Sequence, residues 1–217
     1  MIDKGDPLFQ NVHKILDQKD GHNLKKVYDL AISDRNFFEE LMDGLTSPNE
    51  IYRHNCFKVI QTMSREVPLK LYSEWEYFHE LINTSNAFYQ MIGVKILANL
   101  TVVDSDEKFD EMLDEYFMLL DSRSLITARY VAGAAGIIVQ AKPELQSRIT
   151  EWLLKSGKTH HKNKGLVVHD AIESIDSYFD LIINKEKIIS FVKTFLNSDS
   201  PKLANLAAEF LEKHSRS

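Results

Sequence analysis

The residues most able to do chemistry in this sequence are its eight histidines and its single cysteine. His160 and His161 are adjacent, and His169 follows closely enough to approach them. Zinc is held in proteins by thiolate, imidazole and carboxylate ligands. No thiol or carboxylate stands at ligand spacing beside the histidine pair. We therefore predict that these histidines are structural or surface residues, and that the chain binds no metal and no other cofactor.

Carboxylates also cluster around the start of one predicted helix, at Asp104, Asp106, Asp110 and Asp114. The glycine that turns a calcium-binding loop is missing there, and acidic residues near a helix N-terminus are explained by capping and the helix dipole. The sequence lacks a Gly-x-Ser-x-Gly nucleophile elbow. Cys56 lies inside an apolar run, which favours a packing role. We predict no catalytic residues and a protein that is not an enzyme.

A cationic segment between residues 155 and 165 is the longest polar break in the sequence. Its Gly157-Lys158-Thr159 is similar to the end of a phosphate-binding loop, but it lacks the upstream glycine and follows a predicted helix instead of a strand. A solvated loop is one interpretation, and a site for an anionic partner is the other. The candidate binding residues of this loop are Lys158, His160, His161, Lys162 and Lys164.

Five small residues at nearly even intervals indicate the helices that hold the candidate residues in place. They are Cys56, Gly93, Ala132, Ala171 and Ala207, separated by 37, 39, 39 and 36 residues. A repeat of this length is typical of stacked helical hairpins, in which a small residue lets two helices approach closely. We predict about six hairpins in a single domain: a capping hairpin at 1–33, and repeats at 34–68, 69–104, 105–142, 143–184 and 185–217.

Prolines and polar turns indicate where these helices begin and end. Asp6-Pro7, Ser47-Pro48 and Ser200-Pro201 each read as a helix cap followed by proline at the first helical position. Ser47 and Glu50 together predict a capping box. Pro68 and Pro143 follow apolar helical runs, where a helix should stop. No segment alternates as a strand would, so the fold class is predicted to be all-α.

The repeat pattern resembles HEAT-like repeats, which are related to armadillo repeats. The resemblance rests on hairpin length, on the Ser/Asp/Pro turns, and on Arg53-x-x-Cys56 and Arg129-x-x-Ala132 in the second helix of a unit. It covers residues 35–213 and implies a right-handed α-solenoid. The basic residue that the family usually places in every unit occurs in only two units here, and the family's turn aspartate is absent.

HEAT-like stacking implies a concave groove lined by the second helix of each hairpin. Positions two before and two after each small residue lie about 160–200° around that helix, on the opposite face. The candidate groove residues are His54, Lys58, Met91, Lys95, Tyr130, His169 and Glu173. A central tyrosine and methionine suit a protein interface. We predict a non-catalytic scaffold that binds another protein or a peptide, with an unoccupied solvated surface as the alternative.

Charge and composition narrow the class of partner. The formal net charge is −6, so the chain is a poor match for a nucleic acid. The longest small and apolar run, Tyr130 to Val139, is much shorter than the roughly 20 residues of a membrane span. A single cysteine excludes an internal disulfide and favours a cytoplasmic protein. The enzymatic alternative is a HEAT-like DNA glycosylase, in which Asp170 or Asp176 would be the candidate acid. The oligomeric state is not predicted.

Overall fold

The computed structural model describes residues 7–19 and 21–214, and these residues form twelve α-helices and no β-strand. They fall into two compact units, Met1–Glu74 and Trp75–Ser217. The first unit contains α1 (Pro7–Leu16), α2 (Leu24–Ser33), α3 (Arg35–Asp43) and α4 (Glu50–Glu66). The second contains α5 (Trp75–Ile82), α6 (Ala87–Leu100), α7 (Lys108–Met118), α8 (Leu125–Ala141), α9 (Gln146–Leu153), α10 (Gly165–Ser177), α11 (Lys185–Lys193) and α12 (Pro201–His214).

The helices pair in sequence as six hairpins, and each hairpin lies within one of the six predicted ranges. The all-α fold class predicted from the sequence is therefore confirmed. That the hairpins make a single domain stays a prediction. Asp6, predicted to cap the first helix, lies outside the described residues.

Most predicted helix ends match the structure, and one predicted cap is wrong. α4 ends at Glu66 just before Pro68, α8 ends at Ala141 just before Pro143, and α12 begins at Pro201. The capping box at Ser47 is wrong because α4 begins two residues later than that motif requires. Asn49 caps α4 instead, and its side-chain oxygen accepts hydrogen bonds from the backbone N–H groups of Ile51 and Tyr52. The Ser47 hydroxyl accepts from the N–H of Asn49.

The second helices of the hairpins form one continuous layer within residues 75–214. α6 packs on α8, α8 on α10, and α10 on α12. Tyr116 of α7 is fully buried, and its hydroxyl donates to the Val94 carbonyl of α6 over 2.9 Å. Desolvation by burial raises the pKa of that phenol well above its ordinary range. The core thus lies between the layer of second helices and the first helices that cover it.

All five small residues are buried at helix contacts, as the repeat predicts. Cys56, Ala132, Ala171 and Ala207 have no exposed surface. Gly93 lies where α6 meets α5, and a Cβ atom built there would stand 2.6 Å from the Phe78 carbonyl oxygen. That distance is too short for any side chain, so only glycine permits this approach of the two helices.

The first helices of the second unit are linked to one another by polar pairs at or near the surface. Each pair joins a first helix to the first helix of the next hairpin. The pairs are Glu76–Lys108, His79–Glu115, Asp114–Arg148, Asp114–Trp152 and Glu151–Lys187. Pairs of this kind contribute about 0–1 kcal/mol each, so they add little to the stability of the fold.

A buried lysine connects the end of α8 to the start of α7. Lys142 Nζ lies 3.2 Å from Asp104 Oδ2 and also pairs with Asp110. The Asp104 carboxylate accepts from the backbone N–H groups of Lys108 and Phe109, so it caps α7 as well. Burial alone would lower the pKa of Lys142, but its two carboxylate partners outweigh burial and raise it. The aspartates that resembled a calcium loop in the sequence therefore have a structural role at Asp104 and Asp110.

Candidate binding groove

Helix α8 carries an exposed apolar strip along one face. Ile126 is 60% exposed and Ile137 is 47% exposed, with Tyr130 and Gly133 between them on the same face. The spacing of four, three and four residues places all four positions in line along the helix. Isolated exposed apolar residues are ordinary, but a contiguous row of them indicates a contact surface. This strip is the first component of the candidate site.

Two depressions flank the strip between α8 and α10. One has a volume of about 460 Å³ and is lined by Ile126, Arg129, Tyr130, Gly133 and Asp170. The other has a volume of about 290 Å³ and is lined by Gly133, Gly136, Ile137, Gln140, Asp170, Glu173, Ser174 and Ser177. Because they share Gly133 and Asp170, they form one continuous groove, which we call the α8–α10 groove.

Gly133 lies at the centre of this groove and has no packing role. A Cβ atom built on it meets nothing within 4 Å. A glycine inside a helix costs about 1 kcal/mol relative to alanine. At Gly93 the close approach of two helices explains this cost. At Gly133 packing does not explain it, because a side chain there would face open space.

An ion pair across the groove links the two helices. Arg129 Nε donates to Asp170 Oδ2 over 2.7 Å, and a second guanidinium nitrogen donates to Oδ1 over 3.1 Å. The hydrogen bonds that Arg129 donates to Asp170 raise the pKa of Arg129. Beneath this pair, the buried Ser174 hydroxyl donates to the Ala132 carbonyl over 2.6 Å. These contacts place polar groups in the groove beside the apolar strip of α8.

Some predicted groove residues of the second unit are at the surface and others are not. Tyr130 and Lys95 are half-buried, with the Lys95 ammonium 4.1 Å from the centre of the Tyr130 ring, and Glu173 is exposed. Met91 and His169, at 9% and 5% exposure, lie below the surface, which corrects their predicted position. α6 packs against both α5 and α8, and α10 packs against both α8 and α12. Because α6 and α10 are each covered from two sides, less of their surface is exposed than the sequence predicts from one helix alone.

In the first unit, the predicted residues His54 and Lys58 are both exposed. Burial and the nearby Lys58 ammonium lower the pKa of His54. Lys58 contributes to a depression of about 480 Å³ between α2 and α4. Its lining residues are Leu24, Lys25, Tyr28, Lys58, Val59, Gln61, Thr62, Arg65 and Glu66.

The cationic loop presents only part of its predicted set to solvent. Lys158, Lys162 and Lys164 are exposed, whereas His161 is buried. His160 is held by Asp121, whose Oδ1 accepts from the His160 backbone N–H over 2.8 Å and lies 2.6 Å from its Nδ1. These contacts lower the pKa of Asp121. An anion at this loop stays a prediction.

Two groups of possible metal ligands occur among the described residues, although the sequence predicted none. One is Asp121, His160 and His161; the other is His169, Asp170 and Glu173. Asp121 is distant in sequence from the histidines, so no local spacing could have indicated the first group. The second was detectable, because His169 and Glu173 are four residues apart on one helix and Asp170 is adjacent.

No helix among residues 7–19 and 21–214 combines the length and apolar character that crossing a bilayer requires.

The architecture has counterparts among solved structures. No protein-family model matches the chain, and no curated protein matches it. The designed armadillo repeat protein YIII(Dq)4CqI superposes with a TM-score of 0.57 at 16% identity, covering 96% of this chain and 94% of that one. The chain has an armadillo-like helical-repeat fold. An engineered protein, Northeast Structural Genomics Consortium target OR329, is also similar, with a TM-score of 0.52, 16% identity, and coverage of 96% and 90%. At this identity the armadillo-like likeness concerns the fold alone.

Proposed function

We propose that this armadillo-like protein is a non-catalytic scaffold that binds a segment of another protein in the α8–α10 groove. The observation that carries the proposal is the row of Ile126, Tyr130, Gly133 and Ile137 along α8, exposed between two adjoining depressions. An exposed apolar row with a tyrosine at its centre has the composition of an interface core, and the Arg129–Asp170 pair provides a polar rim.

The energetics favour an apolar anchor in the partner. Covering one exposed isoleucine side chain contributes about 0.8–1.5 kcal/mol, because roughly half of each side chain is already buried. Two isoleucines and a tyrosine together therefore support a moderate affinity once the cost of association is included. The partner segment should present aliphatic or aromatic side chains to α8 and polar groups to Arg129 and Glu173.

The groove proposal is tested by placing charged side chains on the apolar strip of α8. The double variant Ile126→Lys/Ile137→Lys replaces two exposed side chains, so we expect an unchanged melting temperature. Proteins that co-purify with the native chain should be lost, and a purified partner should bind at least about 10-fold more weakly, which corresponds to about 1.4 kcal/mol. Quantitative mass spectrometry followed by a binding titration measures both.

The matched control is Ile183→Lys. Ile183 is 97% exposed and lies just before α11, outside both depressions of the groove. This variant adds a charge to an exposed isoleucine without touching α8, so it should retain every partner. Equal retention of partners by the double variant and the control would contradict the proposal.

A further inference from the structure

One turn of α10 brings together three side chains that could bind a metal ion: His169, Asp170 and Glu173. His169 is 5% exposed, and its Nδ1 atom is buried with no hydrogen-bond partner among the described residues. That nitrogen lies 3.4 Å from Glu173 Oε2 and 3.6 Å from Asp170 Oδ1. A buried imidazole nitrogen without a hydrogen bond costs about 1–3 kcal/mol. Nδ1 and the two carboxylate oxygens therefore form a group of three possible metal-ligating atoms.

We propose that His169 Nδ1, Asp170 Oδ1 and Glu173 Oε2 bind a divalent transition-metal ion, with Zn²⁺ as the best fit. One imidazole and two carboxylates are a donor set that zinc accepts. In a tetrahedral site with bonds of about 2.0–2.2 Å, neighbouring ligand atoms are about 3.3–3.6 Å apart. The two separations from Nδ1 are already in this range, so the imidazole needs little rearrangement.

The Arg129–Asp170 ion pair is compatible with this site. Each carboxylate oxygen has two lone pairs, so the hydrogen bond from Arg129 leaves one free on Oδ1. Carboxylate ligands are commonly held by an outer hydrogen bond of this kind. With neutral His169, the two carboxylates and Arg129 carry a net charge of −1, which favours a dication. The guanidinium thus orients Asp170 and does not neutralise the site.

The side chains also leave an access path and an open coordination position. The Glu173 side chain is 58% exposed, so its rotation uncovers the Nδ1 atom from the solvent side. Asp170 and Glu173 both line the α8–α10 groove. Three protein ligands leave the fourth position of a tetrahedral ion to water or to a group from outside the chain. The site is therefore expected to hold metal without a partner.

The second group of possible ligands, around Asp121, is less suited to an ion. Its carboxylate Oδ1 lies 2.6 Å from His160 Nδ1 and also accepts the backbone N–H of His160. A separation of 2.6 Å is a hydrogen bond and is too short for two ligands of one tetrahedral ion. His160 and Asp121 are also more than half exposed. This group provides the internal comparison for the experiment.

The experiment titrates the untagged full chain with Zn²⁺ by calorimetry and records imidazole ¹H–¹⁵N correlation spectra. We expect one strong site, and a shift of the ¹⁵N resonance of His169 Nδ1 on binding. His169→Gln and Glu173→Gln should each weaken Zn²⁺ binding by at least about 10-fold, because even outer-sphere changes cost that much. Glu186→Gln, at an exposed position in the first turn of α11, should leave it unchanged.

Several results would overturn the proposal. If His169 simply pairs with the carboxylates as an imidazolium, Zn²⁺ will cause no change at Nδ1. If the ion belongs to the other group, His160→Gln will abolish binding while Glu173→Gln retains it. Should His169→Gln fail to fold, Glu173→Gln and the spectrum of the native chain decide the question, since neither alters a buried side chain.

Discussion

Two helical glycines of this protein have opposite reasons to be glycine. At Gly93 any side chain would collide with the Phe78 backbone, so glycine permits α5 and α6 to pack. At Gly133 a side chain would meet only open space. Packing therefore explains why residue 93 is glycine but not why residue 133 is. The proposed binding function gives a reason for Gly133, because the absence of a side chain lets a partner backbone approach α8 closely.

The two glycines predict opposite changes in stability. Gly133→Ala should raise the free energy of unfolding by up to about 1 kcal/mol, because alanine is the better helix former and has room. Gly93→Ala should lower it by about 1–3 kcal/mol, because the new methyl group overpacks the helix contact. Thermal denaturation checks both, with shifts of roughly 2–4 °C per kcal/mol expected for a chain of this size.

Comparable melting temperatures for the two alanine variants would contradict this account of the glycines. Gly133→Ala should also weaken binding of a partner found for the groove, despite being more stable. A variant that gained both stability and affinity would show that Gly133 does not lie beneath the partner backbone.

At the residue level, the sequence predicted the five buried small residues but did not predict which groove residues are exposed. Cys56 and Ala171 could be predicted as buried because the repeat interval alone fixes their register. His169 could not be placed correctly, because its burial depends on how closely α8 and α12 flank α10, and that depends on side chains far away in the sequence. The pairing of Arg129 with Asp170 was missed for the same reason.

At the scale of elements, α12 is held to α10 by one carboxylate. Asp176 accepts hydrogen bonds from Lys213, at 2.8 and 2.9 Å, and lies 2.5 Å from His214 Nε2. Burial would raise the pKa of Asp176, but these two partners outweigh burial and hold it below its ordinary range. The His214 ring also packs against Phe179 at 3.9 Å between centroids. This polar cluster and aromatic contact add to the buried Leu203, Ala207 and Phe210, which pack the last helix into the core.

This cluster predicts a pH dependence of stability. The folded-state pKa of Asp176 is lower than the unfolded value of about 3.9. The stabilisation from Asp176 is thus present above about pH 4 and is lost as the pH falls through the folded-state pKa. Asp176→Asn should reduce the free energy of unfolding near neutral pH by about 1 kcal/mol or less, since the group is partly exposed.

Urea denaturation of the native chain and of Asp176→Asn over a range of pH measures this difference. The gap between the two curves should narrow in acid and vanish once Asp176 is protonated in the native chain. Asp180→Asn is the matched control, because the Asp180 side chain is fully exposed. A gap that stayed constant down to the acid transition would mean that the hydrogen bonds, and not the charge, carry the effect.

The hairpins themselves were predictable because proline and polar turns stop helices wherever they occur. The predicted α4 cap was two residues too early, because Ser47, Pro48 and Asn49 all favour turns. Residue type alone does not show that Asn49 is the cap. The polar pairs between first helices, such as His79–Glu115, could not be predicted. Many acids and bases lie on those helices, and the sequence does not indicate which ones face each other.

At the scale of the whole molecule, the fold was predictable from the sequence, and the function stays a proposal. A repeat of small residues, read with helix length and turn chemistry, is enough to identify an armadillo-like fold. The sequence prediction did not include Ile126 and Ile137, because it considered only positions two residues before and after each small residue, such as Ala132 in α8. Fold alone does not supply a partner, so the binding proposal depends on this particular surface.

The lone thiol and the indoles fall in different units of the chain. Cys56 belongs to Met1–Glu74, whereas Trp75 and Trp152 both belong to Trp75–Ser217. Burial raises the pKa of Cys56 to about 12, so almost no reactive thiolate exists while that unit is closed. The natural chain therefore contains two independent reporters. Alkylation rate should follow opening of the first unit, and intrinsic fluorescence should follow the second, which allows their cooperativity to be measured without adding a label.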